Sequence, residues 1–248
     1  LMQVKETDPV KKASEIQEKM QQWNMEDVIG NIPPLPKARN VVRKSGVIGG
    51  MTHTWVEYVP PCYDGTTAVP LLVGLHGGSN NGEHFAATTL FTDIADRENF
   101  ICLFPEASHY YDDEQGRHHI WNSYYFLEAG KSETDWLKQL IDRILEQYNI
   151  DRSRIYLTGY SNGDAMALQL AVAHTSMFAA VAGLNGPTPP GMMMDADGNP
   201  EHPGAVIPYM RWNGERDPLG DFLGLNRPQI VAQFGEYWIR HNRCHPVP

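Results

Sequence analysis

Ser161 stands in the pentapeptide Gly159-Tyr160-Ser161-Asn162-Gly163, which has the pattern G-x-S-x-G. An apolar run precedes it at 154–158, and a run of helical character follows at 165–173. This setting predicts a nucleophile elbow, a sharp strand-to-helix turn that lifts the serine hydroxyl clear of the backbone. Side chains at the two glycine positions would collide with a neighbouring strand or with the turned chain. The pattern therefore predicts a nucleophilic Ser161, and the alternative is an ordinary turn that contains a serine.

A serine that attacks a carbonyl needs donors for the oxyanion, a base for its proton and a group that orients the base. His76-Gly77-Gly78 follows the apolar run 69–75, which should form a strand beside the elbow strand. Paired glycines leave backbone N–H groups able to point into the site, so we predict donors at Gly78 and at Asn162. The alternative for His-Gly-Gly is a tight strand exit without a catalytic role.

The acid that orients the base is expected beyond a later strand, because the chain order at such elbows is Ser, then Asp or Glu, then His. The strand predicted at 207–212 is followed by Asn213-Gly214-Glu215-Arg216-Asp217. We predict Asp217 as the acid, with Glu215 and Asp221 as alternatives. Each of the three is otherwise a solvated loop carboxylate.

Composition narrows the class of protein. A chain of 248 residues suits one α/β domain, and its net charge of −10 argues against nucleic acid or anionic membranes as partners. No apolar stretch reaches the length of a membrane span, and three cysteines do not form a disulfide framework. The adjacent His118 and His119 would point apart, so we predict neither a metal site nor a cofactor.

Strand-like and helix-like runs alternate along the chain, which predicts a mostly parallel central sheet with helices on both faces. The predicted strands are 69–75, 100–104, 154–158, 178–184 and 207–212, and the predicted helices are 83–99, 136–148, 165–173 and 228–241.

Residues 1–45 form a separate segment, with an amphipathic helix followed by the stiff connection Pro33-Pro34-Leu35-Pro36. Residues 46–248 form the predicted domain. We expect the helix to pack on that domain's own surface, and the alternatives are a dimer contact or a tether.

Several segments together resemble one known family. They are Leu75–Gly78, Asp135 with the helix that follows it, Tyr148–Asp151, Arg154–Gly163 and Asn213–Asp217. From about Trp55 onward, the chain resembles the polyhydroxybutyrate depolymerase/feruloyl esterase group of α/β-hydrolases. The resemblance implies a serine esterase acting on extracellular polyester or on acyl groups of plant cell-wall polysaccharide, with Ser161 as nucleophile and Asp217 as acid. It also favours an extracellular or cell-surface location.

Two features depart from that family's pattern. Asp164 occupies a position that usually holds a small residue, and we expect its carboxylate to cap the N-terminus of the elbow helix. Only His241 and His245 follow Asp217, and neither is preceded by a strand that would bring it to the site. Family members continue with a last strand and a histidine loop. We therefore expect the chain to be C-terminally incomplete, with its base beyond Pro248 and His245 as the alternative.

A missing last strand would leave the sheet edge open, so self-association or a partner at that edge is also expected. A natural pseudoenzyme is the remaining explanation for the absent histidine.

Aromatic and polar residues fill a long excursion at 106–131, between a predicted strand exit and the next helix. Such residues near an elbow suit a phenolic acyl group, a sugar ring or a polyester backbone. We predict Trp121 as a substrate contact, while packing of the excursion against the domain is the alternative.

Two other functions share these features. A prolyl-oligopeptidase-type serine peptidase uses the same elbow but normally carries a large extra domain. A non-catalytic binding module would keep the fold without the base. The ester hydrolase is the function that we expect, with a small-molecule or polymeric ester as its substrate.

Overall fold

A seven-stranded sheet runs through this computed structural model, which describes residues 40–113, 116–123, 133–186, 206–214 and 227–244. The predicted N-terminal helix lies outside those ranges. The first strand begins at Val42, within the segment predicted as a linker. The strands of the sheet are β1 (Val42–Ile48), β2 (Met51–Tyr58), β3 (Val69–Leu75), β4 (Ile101–Pro105), β7 (Ile150–Tyr160), β8 (Ala180–Leu184) and β9 (Tyr209–Trp212).

The strand order is β1-β2-β4-β3-β7-β8-β9, in which the last five strands are parallel to one another and β2 pairs antiparallel with both β1 and β4. Leu75 of β3 pairs with Gly159 of β7, and Leu184 of β8 lies opposite both Tyr160 and Trp212. Because parallel strands end at the same edge of a sheet, the exits of β3, β7, β8 and β9 lie side by side. The prediction of a mostly parallel sheet is confirmed.

Helices cover both faces of the sheet. Alternate residues of β3 and β4 belong to two separate apolar cores, one on each face of the sheet. Among the helices described, none combines the length and apolar character that a membrane crossing needs. The helices are α1 (Gly82–Thr88), α2 (Phe91–Glu98), α3 (Thr134–Gln147), α4 (Asn162–Ala173) and α5 (Arg227–His241).

The single helix predicted over 83–99 is wrong, because the chain forms two helices there. The Thr88 and Thr89 hydroxyls bond back to carbonyls of the preceding turn, which competes with continuation of the helix. Leu90 then adopts a left-handed conformation, with φ 56° and ψ 14°, and α2 begins after it. Hydrophobic periodicity does not reveal such a break, because the apolar residues of both helices pack into the same core.

The excursion predicted over 106–131 contains a two-stranded hairpin formed by β5 (His109–Asp113) and β6 (Gly116–Ile120). The end of β6 pairs with the chain just beyond β3, because the Ser79 N–H donates to the His119 carbonyl at 2.9 Å. The hairpin is thereby fixed beside the exit of β3, at the edge of the sheet where the elbow lies.

Helix α5 is held to the start of β9 by an aromatic stack and by a side-chain amide. The rings of Tyr209 and Trp238 are stacked with centroids 4.6 Å apart. The Asn242 side chain accepts from the Ile207 N–H at 3.1 Å and donates to the Ile207 carbonyl at 2.6 Å. Ile207 is fully buried, so both of its backbone groups depend on this one amide.

We expect Asn242→Ala to lower the free energy of unfolding by about 2–4 kcal/mol, because it leaves a buried N–H and a buried carbonyl without their partner. Urea denaturation followed by tryptophan fluorescence measures the loss. The control is Arg240→Ala, which removes an exposed ion pair with Glu236 on the same helix and should cost less than about 0.5 kcal/mol. Equal losses in the two variants would contradict the anchoring role of Asn242.

Candidate active site

Ser161 occupies the turn between β7 and α4 in a strained backbone conformation, with φ 54° and ψ −121°. A residue with a Cβ persists there only when its surroundings determine it. The Ser161 N–H donates to the Leu184 carbonyl at 2.7 Å, and the Ser161 carbonyl accepts from the Asp164 N–H at 3.0 Å. The turn is therefore held from both sides by hydrogen bonds to β8 and to the first turn of α4.

The two glycines of the pentapeptide are required by close backbone contacts. A Cβ at Gly159 would lie 2.2 Å from the Gly163 carbonyl oxygen, and a Cβ at Gly163 would lie 2.2 Å from the His76 carbonyl oxygen. Both contacts are with backbone, which cannot rotate away as a side chain can. The collisions predicted from the sequence are confirmed, and the turn has the geometry of a nucleophile elbow.

The Ser161 side chain is half-buried, and its hydroxyl makes no hydrogen bond with the residues that the structure describes. It stands at the N-terminus of α4, where the helix dipole favours developing negative charge. A hydroxyl with this exposure and this field is placed to react with a bound electrophile.

Gly78 lies beside the elbow, as the position of its strand predicts. A Cβ built on Gly78 would be 3.8 Å from the Cβ of Asn162. Within the described ranges, neither the Gly78 N–H nor the Asn162 N–H donates to a protein acceptor. Two unpaired backbone donors next to Ser161 are what an oxyanion site requires.

His76 is a buried structural residue, not a base. Its Nδ1 donates to the Gly77 carbonyl at 2.7 Å, and its Nε2 accepts from the Ala107 N–H at 3.1 Å. Burial lowers the pKa of His76 from 6.5 to about 4, so the ring is neutral at physiological pH. With both nitrogens engaged, the ring fixes the backbone that leads to Gly78.

Trp121 connects the two halves of this site. Its indole N–H donates to the His76 carbonyl at 2.8 Å, and its backbone N–H donates to the Asn162 side-chain oxygen at 2.6 Å. The Asn162 amide nitrogen donates in turn to the Trp121 carbonyl at 3.1 Å and to the Ser123 hydroxyl at 3.2 Å. The side chain of Asn162 therefore binds the segment after β6.

The predicted substrate contact at Trp121 does not agree with its burial, because the side chain is 0% exposed. The indole is stacked near Trp136 and closes the core beneath the excursion. The sequence position of Trp121 near the elbow predicts a substrate contact. In the structure, Trp121 affects the site by holding the His76 carbonyl and the Asn162 side chain in place. The aromatic residues at 124–126 lie outside the described residues.

Sequence reasoning missed Glu133, a buried carboxylate that organises the excursion. It accepts hydrogen bonds from the backbone N–H groups of Ser108 and Asn122, from His109 and from the indole of Trp136. Burial alone would raise the pKa of Glu133, but the hydrogen bonds from His109, Asn122 and Ser108 lower it, so the group is ionised. Its position just before α3 gave no signal, because the donors come from distant parts of the chain.

Asp164 does not cap its own helix, contrary to the expectation from its position. The carboxylate is 1% exposed and accepts from the Gly186 N–H and the Tyr209 hydroxyl. The sequence places Asp164 near the N-terminus of α4, but the donors to its carboxylate, just beyond β8 and on β9, are brought to it only by the fold.

The predicted acid and base lie outside the described residues. These are Glu215, Asp217, Asp221 and His245. The exit of β9 is described as far as Gly214, whose N–H donates to the Asn185 side chain at 2.7 Å. Asp217 therefore follows a strand that ends at the edge of the sheet where Ser161 lies.

Among the described histidines, none hydrogen-bonds to Ser161. His53 stacks on Trp136 with ring centroids 4.0 Å apart, and His241 is buried against Tyr237 at the end of α5. Over the same residues, no group of three potential ligands is arranged to hold a metal ion.

The strand order and the elbow at the end of β7 define an α/β-hydrolase. A family model described as esterase PHB depolymerase matches residues 53–191, which is more than half of the chain. The chain belongs to this family.

A bifunctional acetylxylan esterase/xylanase from Neocallimastix patriciarum is 30% identical over 118 residues, which cover 48% of this chain and 16% of that protein. A poly(3-hydroxyalkanoate) depolymerase C from Paucimonas lemoignei is 26% identical over 117 residues, which cover 47% of this chain and 28% of that protein. The match thus spans less than a third of either relative.

The solved structure of the fluorophosphonate-binding serine hydrolase F of Staphylococcus aureus has a similar fold. Its TM-score is 0.56 at 18% identity, with 82% of this chain and 88% of that chain covered. At this identity the similarity supports the fold alone.

Because His76 is neutral in the folded protein, we expect the free energy of unfolding to fall in acid. The folded protein binds a proton at His76 only near pH 4, whereas the unfolded chain binds it near 6.5. Stability is therefore lost as pH falls from 6.5 to 4, with a slope approaching about 1.4 kcal/mol per pH unit from this group. We expect His76→Gln to be less stable at pH 7 but to show a shallower decline in urea denaturation over that range. An unchanged slope would contradict the assignment.

Proposed function

We propose that this protein is a carboxylic-ester hydrolase with Ser161 as its nucleophile. The observation that carries the proposal is the conformation of Ser161 beside the Gly78 and Asn162 N–H groups, which donate to no protein acceptor among the described residues. Membership of the esterase family supports the reaction class, and the geometry supports the choice of residue.

In the proposed reaction, the Ser161 Oγ attacks the ester carbonyl while a histidine takes its proton. The Gly78 and Asn162 N–H groups stabilise the oxyanion of the tetrahedral intermediate. Collapse of the intermediate expels the alcohol, which receives the proton from the histidine. Water then attacks the acyl-enzyme by the same steps in reverse and releases the acid.

Asp217 is the proposed acid that orients the histidine. It lies three residues beyond Gly214, a span of at most about 10 Å of chain from the end of the described segment. The base is a histidine on the C-terminal side of Asp217. His245 is the candidate within the printed sequence, and a histidine following Pro248 in a longer chain is the other.

The proposed substrates are acyl esters of plant polysaccharide, including acetyl and feruloyl esters, or an aliphatic polyester. Similarity to an acetylxylan esterase/xylanase and to a poly(3-hydroxyalkanoate) depolymerase supports both classes. Rates on acetylated xylan, methyl ferulate and a soluble hydroxybutyrate oligomer distinguish them. A proline-containing peptide anilide hydrolysed faster than these esters would favour the peptidase alternative.

We expect Ser161→Ala to abolish hydrolysis of p-nitrophenyl acetate above background, because the acyl-enzyme cannot form. The control is Ser153→Ala, which removes an exposed hydroxyl of β7 and should leave turnover unchanged. Equal turnover by the Ser161→Ala variant and the wild type would contradict the assignment. A folded wild-type protein that hydrolyses none of the esters would instead favour a binding module.

The His245→Ala variant of the 248-residue chain tests whether His245 is the base. Loss of turnover with unchanged thermal stability assigns the base to His245. Retained turnover excludes His245 and assigns the role to another histidine.

A further inference from the structure

A buried carboxylate on the elbow helix has no part in the reaction proposed above. Asp164 lies in the first turn of α4 and turns toward the strand exits next to Ser161. Its Oδ2 accepts from the Gly186 N–H at 2.7 Å, and its Oδ1 accepts from the Tyr209 hydroxyl at 3.0 Å. Burial raises the pKa of Asp164 above its usual value, although Arg211, Gly186 and Tyr209 act in the opposite direction.

Arg211 of β9 contacts both the Asp164 carboxylate and the Gly186 carbonyl. Its Nε lies 3.5 Å from the Asp164 Oδ2, and its terminal nitrogen donates to the Gly186 carbonyl. The Asp164 and Arg211 side chains are 2% and 8% exposed. One backbone residue just beyond β8 is thus held by its N–H to an anion on α4 and by its carbonyl to a cation on β9.

The space for the carboxylate is made by two glycines. A Cβ at Gly183 would lie 2.0 Å from the Asp164 Oδ1, and a Cβ at Gly186 would lie 2.4 Å from its Oδ2. A buried ion pair seldom adds net stability over apolar packing. A site shaped around this carboxylate therefore calls for an explanation other than stability.

A series of hydrogen bonds connects Ser161 to the exit of β9. The Ser161 N–H donates to Leu184, and Asp164 binds Gly186 two residues later. Between these two contacts, the Asn185 N–H donates to the Trp212 carbonyl, and the Asn185 side chain accepts from the Gly214 N–H.

We propose that Asp164 and Arg211 form a buried positioning pair that holds the exits of β8 and β9 in register with Ser161. The proposal rests on the proposed function insofar as Asp217 follows the exit of β9. The pair does not touch the reacting atoms, and it acts by fixing the backbone from which the acid departs.

The test is Asp164→Asn in the full chain. The amide nitrogen cannot accept a hydrogen bond, so one of the two donors loses its acceptor, and the ion pair between Asp164 and Arg211 is lost. We expect amide hydrogen exchange at Gly186 and Gly214 to accelerate at least about tenfold, while exchange in α3 stays unchanged. We also expect kcat per fluorophosphonate-titrated site to fall by about 100-fold with little change in KM, since a small misplacement of a catalytic group has an effect of that size.

The control is Asp142→Asn, which breaks an exposed ion pair with Lys138 and should alter neither readout. Tyr209→Phe removes only one donor to Asp164, so it should show smaller changes in the same direction even if Asp164→Asn does not fold.

Faster exchange at Gly186 and Gly214 with normal kcat would reduce the pair to a structural contact and overturn the proposal. A lower kcat with unchanged exchange would overturn it as well, because the effect would not pass through the strand exits. If the wild type is not titrated by fluorophosphonate, the assignment of Ser161 fails, and the exchange measurement still decides whether Asp164 holds the exits.

Discussion

The site depends on the close approach of three backbone segments at one edge of the sheet. Gly159, Gly163 and the carbonyl of His76 come so near one another that a single Cβ at either glycine would overlap with backbone. This contact brings the exit of β3 against the first turn of α4. It places Gly78 beside Asn162 and holds Ser161 in its strained conformation. The proposed oxyanion donors and the proposed nucleophile are therefore positioned by the same backbone contact.

Polar side chains then hold that arrangement from both sides. On the β3 side, Trp121 links the His76 carbonyl to the Asn162 side chain. On the β8 side, Asp164 and Arg211 clamp Gly186. Each arrangement includes a buried side chain that binds a backbone group, the Trp121 indole at the His76 carbonyl and the Asp164 carboxylate at the Gly186 N–H, so each holds a loop in place. The elbow is thereby supported by contacts that are buried in the protein.

Short sequence motifs predict those parts of the site that are determined by neighbouring residues in the chain. The elbow, its glycines and the exit of β3 follow from short motifs next to apolar strands, and the structure agrees with them. The two helices at Leu90 and the burial of Trp121 were not predictable, because threonine back-bonding and three-dimensional packing decided them. Asp164 was placed on the right helix but assigned the wrong partners, since Gly186 and Arg211 are far away in the chain.

The proposed function depends on Ser161 as the reacting group and on Gly78 and Asn162 as the donors that hold the oxyanion. The most direct measurement is a crystal structure of the protein after treatment with a small fluorophosphonate. We expect a phosphonyl group on the Ser161 Oγ, with its oxygen about 2.7–3.1 Å from both the Gly78 and Asn162 nitrogens. A label on another residue, or a phosphonyl oxygen bound elsewhere, would contradict it.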